Sequence, residues 1–391
     1  MRWRRSSRRK ESCLPSADRQ RPADEDAGRG APRTGVRLAP HTTLGIGGPA
    51  RWYDRAETPG DVARADAWAR ERGVPLLVLG GGSNLVVADD GVEALVLHMR
   101  IGGVAFDGSA GGARLDVGAG EPWDPIVSAA VERGLSGLEC LSGIPGTAGG
   151  TPIQNVGAYG QEVAETIESV VVYDRLDRAL KTLPAADCGF AYRTSRFKRE
   201  DANRFVVCGV RFRLSSASPR ATYPDILRHL EAAGVTSPTL ADVRGAVLAV
   251  RRGKGMLVDS ADPDSRSVGS FFMNPVVAAG VRDRVASIAG VEPPAFGLGG
   301  DRVKIPAAWL IERAGFQRGH TDGAVGISGK HTLALVNRGG ATARDVLRLA
   351  MRIKRAVLVR FGVALRPEPV FVGFGNDGDV QFLQAGESGA P

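Results

Sequence analysis

Five stretches of the chain carry residue types that could do chemistry. The first is Gly80-Gly81-Gly82-Ser83-Asn84, which follows the apolar run Leu76–Leu79. A strand that empties into glycines exposes backbone N–H groups, and with the Ser83 hydroxyl they make a cradle for an oxyanion such as phosphate. It is not a P-loop, because Gly-Lys-Ser/Thr is missing. The second is the glycine-dense run 137–160, which also holds Pro145, Pro152 and almost no charge. Ile144, Ile153, Gln154, Asn155, Val156 and Tyr159 within it are not linker residues. Such a segment reads as a loop packed on something large, with a ligand-cradling role ahead of a surface-loop role. The third, Cys188–Phe197, brings Tyr192, Arg193 and Ser195 onto one turn, which alone also suits a solvated surface. The fourth, Arg251-Arg252-Gly253-Lys254, closes a helical pattern. It either complements the helix dipole or grips an anionic substrate. The fifth is the compact motif Gly269-Ser270-Phe271-Phe272-Met273-Asn274-Pro275.

Composition narrows what these stretches serve. With 391 residues, 43% of them hydrophobic, the chain can bury two or three cores. It has no apolar run long enough for a membrane span. The net charge of +8 is concentrated at one end: residues 1–37 hold 11 basic and 5 acidic residues, leaving 40 and 38 in the rest. The excess therefore belongs to a tail and not to a nucleic-acid groove. The Arg pairs of that tail precede no apolar segment, which excludes a twin-arginine export signal. Cys13, Cys140, Cys188 and Cys208 are not at metal-ligand spacing, and His41, His98, His229, His320 and His331 are scattered. Free thiols in a reducing, cytoplasmic setting and no metal site are expected.

The elements that must position the five stretches can be read in outline. Residues 1–35 lack apolar periodicity and are predicted to be disordered. The Gly45–Gly48 segment is a weak dinucleotide-type match without the strand and helix such a motif needs. Thr58, Pro59 and Asp61 predict a capped helix ended by Gly73. Strands are predicted at Leu76–Leu79, Ala94–His98, Ala113–Val117, Glu168–Tyr173, Phe205–Leu214 and Ala334–Asn337. Helices are predicted over Trp123–Arg133, Asp225–Ala233, Leu240–Arg251 and Ile305–Ala314. A long one starts at Thr342 with Asp345 and ends at Gly362. Val363–Leu365 and Pro369–Val372 read as a last strand pair, and the chain from 376 to 391 as a loose tail. Strands at irregular spacing with interspersed helices indicate an α+β class.

In this order the stretches resemble the UDP-N-acetylenolpyruvoylglucosamine reductase (MurB) family. The carrying motifs are LGGGSNL (79–85), SGIPGTAGGTPIQNVGAYG (142–160), FAYRTSRF (190–197), GSFFMNP (269–275), KIPAAWLIERAG (304–315) and LRPEPVFVG (365–373). The first two are also similar to segments of the wider vanillyl-alcohol-oxidase group, whose sugar and alcohol oxidases lack the later motifs. An oxygen-using oxidase is therefore the alternative reading. The resemblance implies a two-subdomain FAD-binding fold of the vanillyl-alcohol-oxidase (PCMH) type plus a third α+β substrate-binding domain. The implied ranges are 36–100 and 101–253 for the FAD subdomains, 254–361 for substrate, and 362–375 for a segment returning to the site.

It further implies non-covalent FAD, NADPH as co-substrate, UDP-N-acetylglucosamine enolpyruvate as substrate, and a monomer without nucleic-acid partner. The implied FAD contacts are Gly80, Gly81, Gly82, Ser83, Asn84, Ile144, Pro145, Gly146, Gly150, Thr151, Gln154, Asn155, Gly157 and Ala158. Hydride would pass from NADPH to the flavin and on to C3 of the enolpyruvyl group. On this resemblance Arg193 would hold the substrate carboxylate, Ser270 would protonate C2, and Glu368 would assist. Tyr192, Tyr223, Lys254 and Asn274 would grip the UDP-sugar.

Overall fold

A computed structural model of the chain describes residues 31–109 and 111–386. Strand β1 (Arg33–Arg37) pairs antiparallel with β2 (Pro49–Ala56), and helix α1 (Pro59–Glu71) leads to β3 (Leu76–Leu79). After the short β4 (Leu85–Val87), β5 (Val92–Met99) inserts between β2 and β3, parallel to both. Helix α1 starts where local chemistry dictates. Thr58 accepts from the Asp61 amide, Asp61 reaches back to the Thr58 amide, and Pro59 occupies the first turn. Such a cap contributes about 1 kcal/mol. The disorder predicted for 1–35 fails at its end, because Arg33–Arg37 is paired strand. Residues 1–30, with Cys13 and the Arg pairs, lie outside the described residues.

The second sheet is wholly antiparallel. It contains β6 (Val104–Ser109) and β7 (Gly112–Gly118). Helix α2 (Trp123–Glu132) and the hairpin β8 (Gly157–Ala158)–β9 (Gln161–Glu162) intervene before β10 (Ile167–Asp174), β11 (Ala179–Pro184) and β12 (Phe205–Ser215). Their order is β11-β10-β12-β7-β6. Every second residue of β12 from Val206 to Leu214 is buried, the period expected of a strand with one covered face. That face meets α2, where Trp123 packs on Phe212. Helices α3 (Pro224–Ala232) and α4 (Leu240–Gly253) pack together over Cys140, enclosing Ile226, Leu230, Val243 and Val247.

A separate apolar core organises the C-terminal third. Around it run β13 (Ser267–Ser270), β14 (Val276–Ala278), α5 (Ala279–Ala289), β15 (Phe296–Gly297), β16 (Arg302–Lys304) and α6 (Ala307–Arg313). They are followed by β17 (Thr321–Asp322), β18 (Val325–Ile327), β19 (Ala334–Asn337) and α7 (Ala343–Phe361). Helix α7 turns Val346, Leu349, Ala350, Ile353 and Val357 inward at helical spacing and stops at Gly362, whose φ is +67°.

Two expectations fail at the C-terminus. Val363–Leu365 is not a strand; its residues are buried among the core side chains. Only β20 (Val370–Val372) pairs, and its partner is distant: it lies parallel to β4, with Val370 opposite Leu85. The segment from 376 is not loose either. It forms α8 (Gly378–Gln384), capped by Asp377, with Val380 and Leu383 buried. The Lys354 ammonium of α7 donates to the carbonyls of Phe382, Leu383 and Ala385 at 2.8, 2.8 and 2.6 Å. Three acceptors replace the water that this buried cation gives up.

Candidate active site

The turn after β3 is shaped by contact with its neighbours. Gly82 has φ +62°, and a Cβ there would stand 1.9 Å from the His41 carbonyl oxygen. Only glycine meets both conditions. The Gly45–Gly48 segment, a weak dinucleotide-type match, thus belongs to a loop that buttresses this turn: Thr43 N–H donates to the Gly82 carbonyl. The amides of Gly81, Gly82, Ser83 and Asn84 have no acceptor among the described residues. Four unspent donors in one turn are what an anion requires.

The 137–160 run folds against that turn. A Cβ on Gly81 would lie 2.7 Å from Gly146 Cα, so the two glycine stretches touch backbone to backbone. Ser83 donates to the Pro145 carbonyl at 3.1 Å, and Asn84 donates to Gln154 Oε1 at 3.0 Å. From behind, α2 holds the run: Trp123 Nε1 donates to the Leu141 carbonyl, and the Gly143 amide donates to Asp124. Between the two stretches opens a cavity of about 500 Å³, in the ordinary size range of ligand sites. Gly150 faces its open space.

Of the fourteen residues expected at a cofactor, thirteen line this cavity, and Asn155 does not. Asn155 is 1% exposed and holds φ +46°. Its side chain donates to Glu162 at 2.6 Å and to the Ala191 carbonyl, and accepts from the Ala164 amide. Its side chain ties the loop to β9 and to the turn that carries Arg193.

The three expected catalytic residues all reach the cavity from different elements. Arg193 sits at the tip of a turn closed by reciprocal hydrogen bonds between Ala191 and Thr194, with φ +53°. A left-handed arginine stores strain of order 1–3 kcal/mol and marks a constrained site. Ser195 anchors the turn by donating to the Ile153 carbonyl at 2.6 Å. Arg193 Nε stands 3.6 Å from Glu368 Oε1. Glu368 is held from both sides: its amide donates to the Phe271 carbonyl, and its carbonyl accepts from Asn84. These bonds bring it beside Ser270 on β13 and beside the Gly80 turn. Burial pushes the Glu368 carboxyl above the usual range, while the charges of Arg193 and Lys198 pull it back.

The expected sugar-nucleotide residues divide. Tyr223 lines the cavity at the N-terminus of α3, edge-on to Tyr159. Lys254, Tyr192 and Asn274 do not line it. Lys254 pairs with Asp225 at 2.7 Å. Tyr192 is half exposed between Arg193 and Lys304. Asn274 accepts from the Ala307 amide at the start of α6.

Two further cations stand in the cavity wall: Lys198, which the sequence reading did not name, and Arg251, which it named only within the basic cluster 251–254. Lys198 follows Arg193 by five residues. Arg251, only 8% exposed, donates through Nη2 to the Met256 carbonyl, while its buried Nε has no partner among the described residues. The basic cluster 251–254 was the available signal for Arg251. For Lys198 the signal was its place at the end of the Tyr192–Phe197 motif. Cys140, Cys188 and Cys208 are buried free thiols, with burial pushing them to about 12, 11 and 12. His41 stacks on Tyr53, whose hydroxyl lies 2.6 Å from His98 Nδ1. No group of three His, Cys, Asp or Glu among the described residues could hold a metal, and no described helix is long and apolar enough to cross a membrane.

Comparison with known proteins bears on both halves of the site. Residues 50–177 match the family described as FAD binding domain. Residues 262–372 match the C-terminal domain of UDP-N-acetylenolpyruvoylglucosamine reductase. The chain is 49% identical over 349 residues to the UDP-N-acetylenolpyruvoylglucosamine reductase of Thermobifida fusca, covering 86% of this chain and 97% of that one. It is 48% identical to the Streptomyces coelicolor enzyme of the same name, covering 86% and 89%. Among solved structures it is similar to the UDP-N-acetylenolpyruvylglucosamine reductase of Thermus caldophilus, with a TM-score of 0.58 and 28% identity over 86% of this chain and 97% of that one.

Proposed function

The chain belongs to the UDP-N-acetylenolpyruvoylglucosamine reductase family, an FAD-binding oxidoreductase family, and from that premise we infer that it reduces UDP-N-acetylglucosamine enolpyruvate to UDP-N-acetylmuramate with NADPH, in the cytoplasm, as a step toward peptidoglycan. The observation that carries this reading is the convergence of Arg193, Glu368 and Ser270 on a cavity walled by two glycine stretches. FAD fits that cavity. The unspent amides of Gly81–Asn84 suit its diphosphate, and the uncharged wall of Ile144, Pro145, Ile153 and Val156 suits a flat ring. Bound FAD supplies the centre that takes hydride from NADPH and passes it to the enolpyruvyl C3.

The protein's own residues manage charge and protons. As C3 gains hydride, negative charge develops at C2 and on the adjoining carboxylate. Arg193, permanently charged and planar, is suited to take that carboxylate, because its interaction strengthens as the charge grows. Ser270 is assigned the proton delivery to C2. A serine hydroxyl is a weak acid, so the transfer depends on the basicity of the developing carbanion and on neighbouring donors that stabilise the alkoxide. Glu368, half-buried and backbone-anchored, orients these groups. Tyr223 forms the outer wall for the sugar nucleotide. Tyr192, on the 191–194 turn, Lys254, at the end of α4, and Asn274, after β13, would reach it only if their segments close over bound substrate. In this reading the first two sheets form the FAD unit, the β13–α7 region forms the substrate unit, and the enzyme acts as a monomer.

Anaerobic half-reactions test the proposal. NADPH should bleach the visible flavin band of the purified protein, and the enolpyruvyl substrate should restore it. A flavin that NADPH reduces but this substrate leaves reduced would overturn the reading.

A further inference from the structure

Lys198 ends the 3₁₀ turn Arg196–Lys198, and that turn is clamped. Arg196 donates to Asp201 and to the Asp187 carbonyl, each at 2.7 Å, Phe197 is buried, and Ser195 is bonded to Ile153. The turn therefore fixes Lys198 in the wall of the cavity that Glu368 also lines. The Lys198 amide closes the turn on the Ser195 carbonyl, but its ammonium makes no hydrogen bond or ion pair with any described residue. A half-buried ammonium on a rigid turn with no fixed partner is costly unless a charge in the cavity uses it.

The charges around Glu368 show which one. Arg193 faces it from the 191–194 turn, and Lys198, on the next turn, lines the same cavity. Asn84 and Phe271 hold its backbone, and neither titrates. Glu162 stands behind Arg193 across Gly157, with its carboxylate taken by Asn155. At 3.6 Å the Arg193–Glu368 contact is too long for a tight hydrogen-bonded pair. Arg193 is thus free to turn its fork to another carboxylate. Once it does, two carboxylates share one arginine in a half-buried site, and one of them would take up a proton. Burial already works against the charge of Glu368.

We propose that Lys198 is a positioning residue that keeps Glu368 ionised while Arg193 is engaged by the carboxylate of the substrate. This rests on the function assigned above, since the second carboxylate comes from that substrate. With Lys198 present the cluster holds two cations and two anions. Without it, Glu368 protonates at higher pH and the substrate carboxylate is held less firmly.

The test uses FAD-loaded enzyme reduced anaerobically and mixed with the enolpyruvyl substrate between pH 5 and 9, following reoxidation of the flavin. In wild type the rate rises with pH as Glu368 ionises. In Lys198→Met that acid limb moves upward by about one pH unit, and substrate affinity for the oxidised enzyme above that limb falls several-fold, because the cation that offsets the second carboxylate is gone. Lys198→Arg restores both. Lys198→Gln carries the same expectation should the methionine variant lose FAD. An acid limb that stays in place, or a rate lowered equally at every pH, overturns the proposal while the function stands. Wild-type enzyme that the substrate fails to reoxidise overturns the function and this inference with it.

Discussion

At the scale of single residues, the site separates holding charge from moving a proton. Ser270→Ala should leave NADPH able to reduce the flavin. Reoxidation by the enolpyruvyl substrate should slow by roughly 10²–10⁴, the range for a lost general acid. Stopped-flow of the two half-reactions measures this, and equal slowing of both would remove Ser270 from the proton role. Arg193→Lys keeps a charge but loses the planar fork. It should weaken substrate binding and slow the second half-reaction, with flavin content intact by absorbance. The strain at Arg193, φ +53°, adds a separate check. Arg193→Gly relieves the backbone yet should be the less active of the two, because the guanidinium and not the turn is what the substrate meets.

At the scale of elements, close approach between loops decides more than propensity does. Gly82→Ala adds a methyl 1.9 Å from the His41 carbonyl at a φ of +62°. The turn must then shift, at a cost of roughly 1–3 kcal/mol, and the four amides lose their common direction. The variant should purify with little FAD and a lowered melting temperature; retention of FAD at wild-type affinity would show that the turn is not its anchor. The C-terminal helix is the second test. Lys354→Met leaves three carbonyls of α8 and its exit without their donor, which should cost roughly 1–3 kcal/mol by chemical denaturation. α8 follows β20, and β20 aligns Glu368, so loss of α8 should also lower reoxidation before it lowers flavin binding.

For the whole molecule, pH and the tail give distinct expectations. Burial lowers His98 to about 3 and His331 to about 4, so both are neutral in the fold. The unfolded chain protonates them near 6.5. Between those values the unfolded state binds more protons, so stability is full above about pH 6.5 and falls as pH drops. Each histidine removes about 1.4 kcal/mol per pH unit over its window. Thermal melts from pH 7 to pH 4.5 should show this fall, and His98→Asn should flatten it. Deleting residues 1–30 removes much of the net positive charge but no cavity residue. Turnover and its salt dependence should stay as in the full chain.

What the sequence determined by itself was whatever short-range chemistry specifies. The capping pairs Thr58/Asp61 and Thr342/Asp345, the α7 stripe, the period-two burial of β12 and the glycine stretches follow from neighbours a few residues apart. Motif order carried the family, and with it the three residues named for catalysis. Tertiary structure decided what depends on groups hundreds of residues apart. The β4–β20 pairing joins Leu85 to Val370 and sets Glu368 beside the Gly80 turn. Nothing within Val363–Leu365 distinguishes a paired strand from a buried irregular segment. The inward face of α8 becomes an ordered element only because Lys354 and the second core meet it. Asn155 was expected at the cofactor from the family resemblance, but its side-chain amide is turned to Glu162 and Ala191 on a left-handed backbone. Lys198 carried no signal of its own in the sequence; the clamped turn puts it in the cavity wall with Arg193 and Glu368. Direction and burial are properties of the packed chain, and sequence spacing does not encode them.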